Sequence, residues 1–285
     1  MIEIPKSIIE DVVTRAIEED MPYGDKTTDY LSSIKNCPAK GFIKAKERLV
    51  LAGIDVARCV FEKIDPLVSF NPLKKDGDEV EKKEVIAIVS GMAPSLFKGE
   101  RIALNLLTHL SGIATYTRKI ARLLEGSGIK LVDTRKTLPG LRALQKYAVR
   151  MGGGYNHRFS LSDGILIKTN HIRLVGSVKK AVEEVRGKMT PFIKIEVEVK
   201  NMEELKSAIE SKADIIMLDN MTDEEIEKAL KMIGGRAEVE ISGKMTEERI
   251  KKLRKMKGIN YISMGSITHS APSVDINFEI LRDEG

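Results

Sequence analysis

Residues 193–220, IKIEVEVKNMEELKSAIESKADIIMLDN, carry the reading on which the fold turns. Positions 193, 195, 197 and 199 are apolar and alternate with Lys194, Glu196, Glu198 and Lys200, the two-residue period of a strand with one charged face. Residues 202–211 then place apolar side chains at helical spacing, and 214–218 is a second apolar run closed by Asp219. A helical crossover of this length returns the chain to a parallel neighbour. The same texture extends both ways, with strand candidates at 130–132, 165–168, 237–241 and 261–264 and helices at 223–232 and 247–256. Six such strands predict a parallel α/β structure, either a barrel or a doubly wound sheet.

Two features favour the barrel. No GxGxxG opens the first unit, so the dinucleotide fingerprint of doubly wound folds is missing. Polar residues also gather at the carboxyl ends of the strands: Thr134-Arg135-Lys136, Lys168, Glu196 with Glu198, Asp219, Ser242-Gly243 and Gly265-Ser266. In a barrel those ends converge on one mouth, where active sites form.

Upstream the texture is different. A helix is expected at 7–19, then a loop through Pro22, Gly24 and Asp25, a half-wet strand at 40–46 and a helix at 54–64. Short strands at 68–70 and 85–89 flank the turn LKKDGDEVEKK, and a long helix covers 95–124. The division expected is an α+β domain over 1–112, a barrel domain over 113–270 and a segment, 271–285. Within that segment VDINFEIL alternates, as a seventh barrel strand or as a strand returning to the first domain.

Charge is concentrated. Residues 133–172 hold seven Lys or Arg against two acids, Asp133 and Asp163, an excess equal to the whole chain's formal +5. That implies a poly-anionic partner. Balanced charge elsewhere, few aromatics and bases placed at strand ends disfavour nucleic acid. The opening MIEIPKSIIEDVV reads as an amphipathic helix rather than a signal or transit peptide. No apolar run approaches the roughly 18 residues of a membrane span, so no membrane partner and a cytoplasmic location are expected. Cys37 and Cys59 lie far from the motifs and read as ordinary reduced thiols.

Among the acids, Glu196 and Glu198 share a strand face that points into a barrel lumen. Glu196 is expected in an internal ion pair with Lys194 or another base. Glu198 and Asp219, at the ends of adjacent strands, are expected to hold one Mg2+ in part, leaving positions for substrate oxygens. Thr222, with Glu225 three residues on, is the expected cap of the following helix. Arg135, Lys136, Arg158 and Lys168 sit where an anion would bind, the arginines by bidentate forks and the lysines as point charges. Arg142, Lys146 and Arg150 recur every fourth residue and read as a solvated helix face. His157 is the histidine best placed for an anion, and His109 reads as buried and satisfied. HExxH, CxxC and GxSxG motifs are absent, which removes support for zinc hydrolysis and serine chemistry.

DTRKT, GGGxNHR, LIKxNH, EVEV, LDN, SG and GSITHSA, together with GDKTT and ERIALNLLTHLSGIATYT, occur in order along nearly the whole chain. This ordered set resembles the quinolinate phosphoribosyltransferase family, the carboxylating nicotinate-nucleotide pyrophosphorylases. The resemblance implies an N-terminal α/β sandwich plus an incomplete α/β barrel, and a homodimer or larger homo-oligomer with sites shared between subunits. It implies the joining of quinolinate to phosphoribosyl pyrophosphate with release of CO2 and pyrophosphate, in the route to NAD. By that resemblance Arg101 reaches the neighbouring subunit's site and helps hold quinolinate. Arg135, His157, Arg158 and Lys168, with Thr134, surround the acid. Lys136 interacts with the phosphoribosyl donor, and Glu198 and Asp219 face the ribose and its Mg2+, so these three are the expected catalytic residues. Ser242-Gly243-Lys244 and Gly265-Ser266 would cradle the 5′-phosphate. Two departures stand out: the family's usual SGG reads Ser242-Gly243-Lys244, and its usual MGLYD reads FSLSDG within residues 159–164. A molybdenum-transport-associated paralogue carrying DTRKT and a non-decarboxylating nicotinate phosphoribosyltransferase are the rival enzymes. The intact NHR and LIKxNH favour the quinolinate enzyme over the paralogue.

Overall fold

The computed structural model describes residues 4–283, so the first three residues of the N-terminal segment and the last two of the C-terminal one lie outside the described residues. The chain forms two compact units. One holds the chain up to Arg118, Thr137–Gly153 and the chain from Ile267; the other holds Lys119–Lys136 and Gly154–Ser266.

In the first unit the elements are α1 (Lys6–Asp20), α2 (Lys26–Tyr30), β1 (Pro38–Ala45), β2 (Leu49–Val50), α3 (Ile54–Ile64), β3 (Ser69–Pro72), β4 (Glu79–Val80), β5 (Val85–Met92) and the start of α4 (Ala93–Leu123). Its main sheet is antiparallel, ordered β12-β1-β5-β3, with β12 being Ile276–Arg282. The alternating segment therefore returns to the N-terminal sheet, Ile43 standing opposite Phe278, and is not a seventh barrel strand. Along β1, Ala39, Ile43 and Ala45 are buried on one face, the alternation expected of a sheet packed on one side. Phe61 of α3 lies between Phe70 and Phe278, with ring centroids 6.0 and 5.7 Å away.

Local chemistry that periodicity does not report adds two features. Asp25 accepts the Thr28 N–H and so caps α2 where a loop was expected. Within the expected turn, β4 pairs with β2. Residues 112 and 113, where the sequence divides the domains, are consecutive residues of the continuous helix α4. The helix α5 (Arg142–Met151) joins the first unit, tied by Tyr147, whose hydroxyl donates to Asp76 at 2.8 Å. Lys146 on that helix is buried, so the expectation of a solvated Arg142–Lys146–Arg150 face fails at its middle residue.

The second unit is built on six parallel strands: β6 (Lys130–Val132), β7 (Ile165–Ile167), β8 (Ile195–Val199), β9 (Ile215–Asp219), β10 (Glu238–Ser242) and β11 (Tyr261–Ser263). Their order is β6-β11-β10-β9-β8-β7. Each strand from β8 to β11 adds beside its predecessor, and β6 joins the far edge, the cyclic order of a barrel rather than the reversing order of a doubly wound sheet. The ladder is open between β6 and β7, where Tyr155 makes a single bridge to Val132. Helices α6 (Thr169–Val175), α7 (Val178–Arg186), α8 (Met202–Glu210), α9 (Asp223–Ile233) and α10 (Glu247–Leu253) connect the strands, and α11 (Ser266–His269) follows β11. On β8, Ile195, Val197 and Val199 are all buried, and Glu196 on the opposite face is buried too. Asn201, Thr222 and Thr246 cap α8, α9 and α10, Thr222 in the reciprocal box with Glu225. Each cap comes within four residues of a strand end, so it fixes the turn that presents the strand's last polar side chain.

Gly112 lies inside α4, where glycine weakens a helix. A Cβ there would stand 2.2 Å from the Pro272 carbonyl oxygen and 2.9 Å from Ser273 Cα. Backbone cannot step aside as a side-chain tip can, so Gly112→Ala is expected to lower stability by about 1–3 kcal/mol despite alanine's better helix propensity. Urea unfolding of the variant against the parent measures this.

Candidate active site

The carboxyl ends of all six parallel strands border one cavity of about 490 Å³. Thr134, Arg135 and Lys136 follow β6, and Lys168 follows β7. Glu198, Asp219, Ser242 and Ser263 come from β8, β9, β10 and β11. His157 and Arg158 also line it, although they lie on no strand. A buried carboxylate puts them there: Asp133 accepts the His157 N–H at 2.8 Å and the Asn156 side-chain N–H at 2.7 Å. The Asp of DTRKT thus holds the NHR segment in place.

The basic side of the cavity is built for an anion. Arg135 Nε is buried without a hydrogen-bond partner. Arg158 donates from Nη1 to the Gly164 carbonyl at 2.8 Å. Burial lowers the Arg158 pKa and the nearby Arg135 charge lowers it further, although Glu196 works against both. Two guanidiniums brought together in a half-buried wall repel each other until an anion lies between them. On the acidic side, Glu198 Oε1 accepts from the Thr169 hydroxyl at 2.7 Å and its N–H at 3.3 Å. Asp219 Oδ2 accepts from the Asn220 amide at 3.0 Å. Two carboxylates from neighbouring strands bordering one cavity are a hard-oxygen set, which suits Mg2+ completed by substrate oxygens.

Beside this cavity, a half-buried histidine meets two buried glutamates. His157 Nε2 lies 2.9 Å from Glu196 and 3.4 Å from Glu240, whose side chains are 5% and 3% exposed. The partner of Glu196 is therefore His157, while Lys194 pairs with Glu238 at 2.6 Å. Burial pushes the Glu196 carboxyl up to about 7. For His157 burial opposes the charge, but hydrogen bonds to the two glutamates outweigh it and raise the ring to about 10. The Arg158 backbone nitrogen lies 2.8 Å from His157 Nδ1, and Nε2, facing the two carboxylates, carries a proton. A second cavity of about 350 Å³ lies on the far side of the trio; His157, Arg158 and Glu240 border both.

Nine of the expected residues thus share one cavity: Thr134, Arg135, Lys136, His157, Arg158, Lys168, Glu198, Asp219 and Ser242. Gly243, Lys244, Gly265 and Ser266 are not among its lining residues, and Arg101 is an exposed residue of α4 in the first unit. At Gly243, with φ of +127°, a Cβ would stand 2.7 Å from Asn220 Oδ1, so this glycine allows the β9 and β10 ends to approach. Lys244 is exposed, and its carbonyl accepts from Arg249. His109 is half-buried beside Gln145 at 2.8 Å, and desolvation lowers its pKa, so its ring is partnered without the full burial expected.

The models of the quinolinate phosphoribosyl transferase N-terminal and C-terminal domains match residues 11–111 and 113–279. The chain belongs to the quinolinate phosphoribosyl transferase family. It is 44% identical over 262 residues to the probable nicotinate-nucleotide pyrophosphorylase [carboxylating] of Bacillus subtilis, covering 92% of this chain and 90% of that one. It is 37% identical to the Mycobacterium leprae nicotinate-nucleotide pyrophosphorylase [carboxylating], covering 95% and 96%. The crystal structure of NadC from Streptococcus pyogenes superposes with a TM-score of 0.93 at 41% identity, each chain covered completely. Within this family fold, Thr169, Asn220, Glu240 and Ser263 are site residues that sequence reasoning missed. Glu240 had a readable signal, since GRAEVEIS repeats the apolar-acid alternation of IKIEVEVK. Thr169 had none, because a hydroxyl beside LIK looks like a simple helix start.

The trio makes stability depend on pH. Glu196 is raised from 4.5 to about 7 and His157 from 6.5 to about 10. A group raised on folding stabilises below its unfolded pKa, and that contribution is lost as pH rises through the folded value. His109, lowered by burial, acts in the opposite sense below pH 6.5. The melting temperature is therefore expected to fall from pH 7 toward 10, and the slope to flatten in a variant carrying both Glu196→Leu and Glu240→Leu, as followed by thermal unfolding.

Proposed function

We propose that the chain transfers phosphoribosyl from phosphoribosyl pyrophosphate to quinolinate with decarboxylation, giving nicotinate mononucleotide, CO2 and pyrophosphate. The observation that carries this reading is one cavity in which paired guanidiniums and lysines face two strand-end carboxylates. Neither substrate could be held without the first set, and neither charge separation nor ribose chemistry is served without the second. Family membership and relatives named as carboxylating pyrophosphorylases support it.

Arg135 and Arg158 grip the two carboxylates of the acid by forks, with Lys168 adding a point charge. Lys136 neutralises the donor's phosphates. The pyridine nitrogen forms a bond to the ribose anomeric carbon as the bond to pyrophosphate breaks, so positive charge develops on the sugar. Glu198 and Asp219 stabilise that charge, Thr169 keeping Glu198 oriented. Mg2+, held by Glu198 and Asp219, would supply charge neutralisation for the departing pyrophosphate. Once the ring nitrogen is cationic, its charge stabilises the electron pair left on the adjacent ring carbon as CO2 leaves, and that carbon then takes up a proton. No general base is required for that loss. Arg101 is assigned to the acid site of a neighbouring subunit, which makes a homodimer or larger homo-oligomer the working form. Ser242 and Gly243, with Lys244, and Gly265 with Ser266, are assigned to the 5′-phosphate.

The deciding assay supplies phosphoribosyl pyrophosphate, Mg2+ and either quinolinate or nicotinate, and measures nucleotide and CO2. Quinolinate is expected to react and nicotinate not; the reverse preference overturns the assignment. Glu198→Gln is expected to lower kcat about 100-fold, the scale of one lost electrostatic stabiliser. Arg101→Ala is expected to raise KM for quinolinate more than KM for the donor, read from steady-state rates with each substrate varied in turn.

A further inference from the structure

The lumenal trio has no part in the mechanism above, yet it is among the most deeply buried polar clusters of the chain. Glu196 and Glu240 lie on β8 and β10, separated by β9, and each reaches inward to the same His157 nitrogen. On its other side the ring receives the Arg158 backbone N–H at 2.8 Å. One face of the histidine is thus fixed to two strands and the other to the backbone of an anion-binding arginine. Asp133 holds the histidine's own backbone N–H. Three of these four anchors, Asp133, Glu196 and Glu240, are buried carboxylates, an arrangement that is expensive unless rigidity is gained.

Two other uses of the trio fail on the same geometry. Ligand atoms of His157, Glu196 and Glu240 lie within 4.8 Å of one another, close enough to surround an ion. A metal would need the lone pair of Nε2, and its histidine would donate a proton from Nδ1. Here Nδ1 faces an N–H donor, so Nε2 carries the proton and has no lone pair to offer. Direct recognition of a substrate carboxylate by the ring fails as well, because both ring nitrogens already face protein groups.

We propose that Glu196 and Glu240, acting through His157, are positioning residues that set the place of Arg158 and thereby the affinity for the acid substrate. This rests on the functional reading given above. The strands β8 and β10 carry the cavity's Glu198 and Ser242 as well. A single pair of strands therefore fixes the arginine that grips the acid in register with the groups that serve the sugar and its phosphate. Arg158 borders both cavities, and among the described residues the Gly164 carbonyl, at 2.8 Å, is the hydrogen-bond partner of its guanidinium. Its aim is consequently set from the backbone side, where the trio acts.

The test uses the full-length chain and two sets of variants. With Glu196→Leu and Glu240→Leu combined, the melting temperature at pH 7 is expected to fall, since His157 Nε2 loses both of its carboxylate partners. KM for quinolinate is expected to rise about tenfold or more, the loss of one well-made hydrogen bond, while KM for phosphoribosyl pyrophosphate stays within about threefold. A folded double variant with the parent's KM for quinolinate overturns the proposal. His157→Asn and His157→Gln decide the matter if the double variant does not fold. Asparagine places an oxygen where Nδ1 accepts the Arg158 N–H, whereas glutamine reaches the glutamates in place of Nε2. Positioning predicts the lower KM for quinolinate in the asparagine variant; equal values, or the opposite order expected of direct contact through Nε2, overturn it. A parent chain that leaves quinolinate unreacted refutes the functional reading instead, and needs no variant to reveal it.

Discussion

Charge buried in the middle of the parallel sheet is the constraint on which the second unit depends. A buried carboxylate has to be compensated, and here two are buried together. His157 lies between them, and the chain can place it there only because β6 and β7 leave a gap that the segment after Tyr155 fills. The opening in the barrel and the histidine in its lumen are two aspects of one arrangement. A fully closed ladder would have excluded the residue that compensates its interior.

From that centre the site follows by short steps. A polar side chain stands at or next to the end of each parallel strand, and α8, α9 and α10 each start at a capping Asn or Thr a few residues later. The caps contribute about 1 kcal/mol each to stability, and their greater effect is on geometry. They restrict where the last side chain of a strand can point. Arginines, lysines and carboxylates consequently face one space.

Much of this was legible in the chain. Strands β8, β9 and β10 were within two residues of their expected bounds because the apolar alternation is strong and both faces are buried. The strand-end residues were legible for the same reason, since a period of two fixes which residue comes last. What stayed hidden depends on contacts between distant segments. Glu196 could have paired with Lys194 beside it; only the tertiary register brings in His157, and Lys194 goes to Glu238. Lys146 looked like a solvated helical residue, and nothing in its spacing records that α5 buries it. The capped α2 and the β2–β4 pair are too short for periodicity to register. Arg101, Gly243, Lys244, Gly265 and Ser266 remain assignments from family motifs and are not among the residues lining the cavity that one chain displays.

The pairing of β12 with β1 also bears on how the molecule is made. The N-terminal sheet has Pro38–Ala45 as an inner strand, yet the strand beside it is Ile276–Arg282. During synthesis β1 leaves the ribosome long before its partner, so one side of the first sheet stays open while the whole parallel unit is being translated. Most of the second unit, Gly154–Ser266, is contiguous and can complete its ladder early. The N-terminal domain is therefore the last to finish folding, and its waiting strand edge is the place where a stalled or truncated chain is most exposed to aggregation.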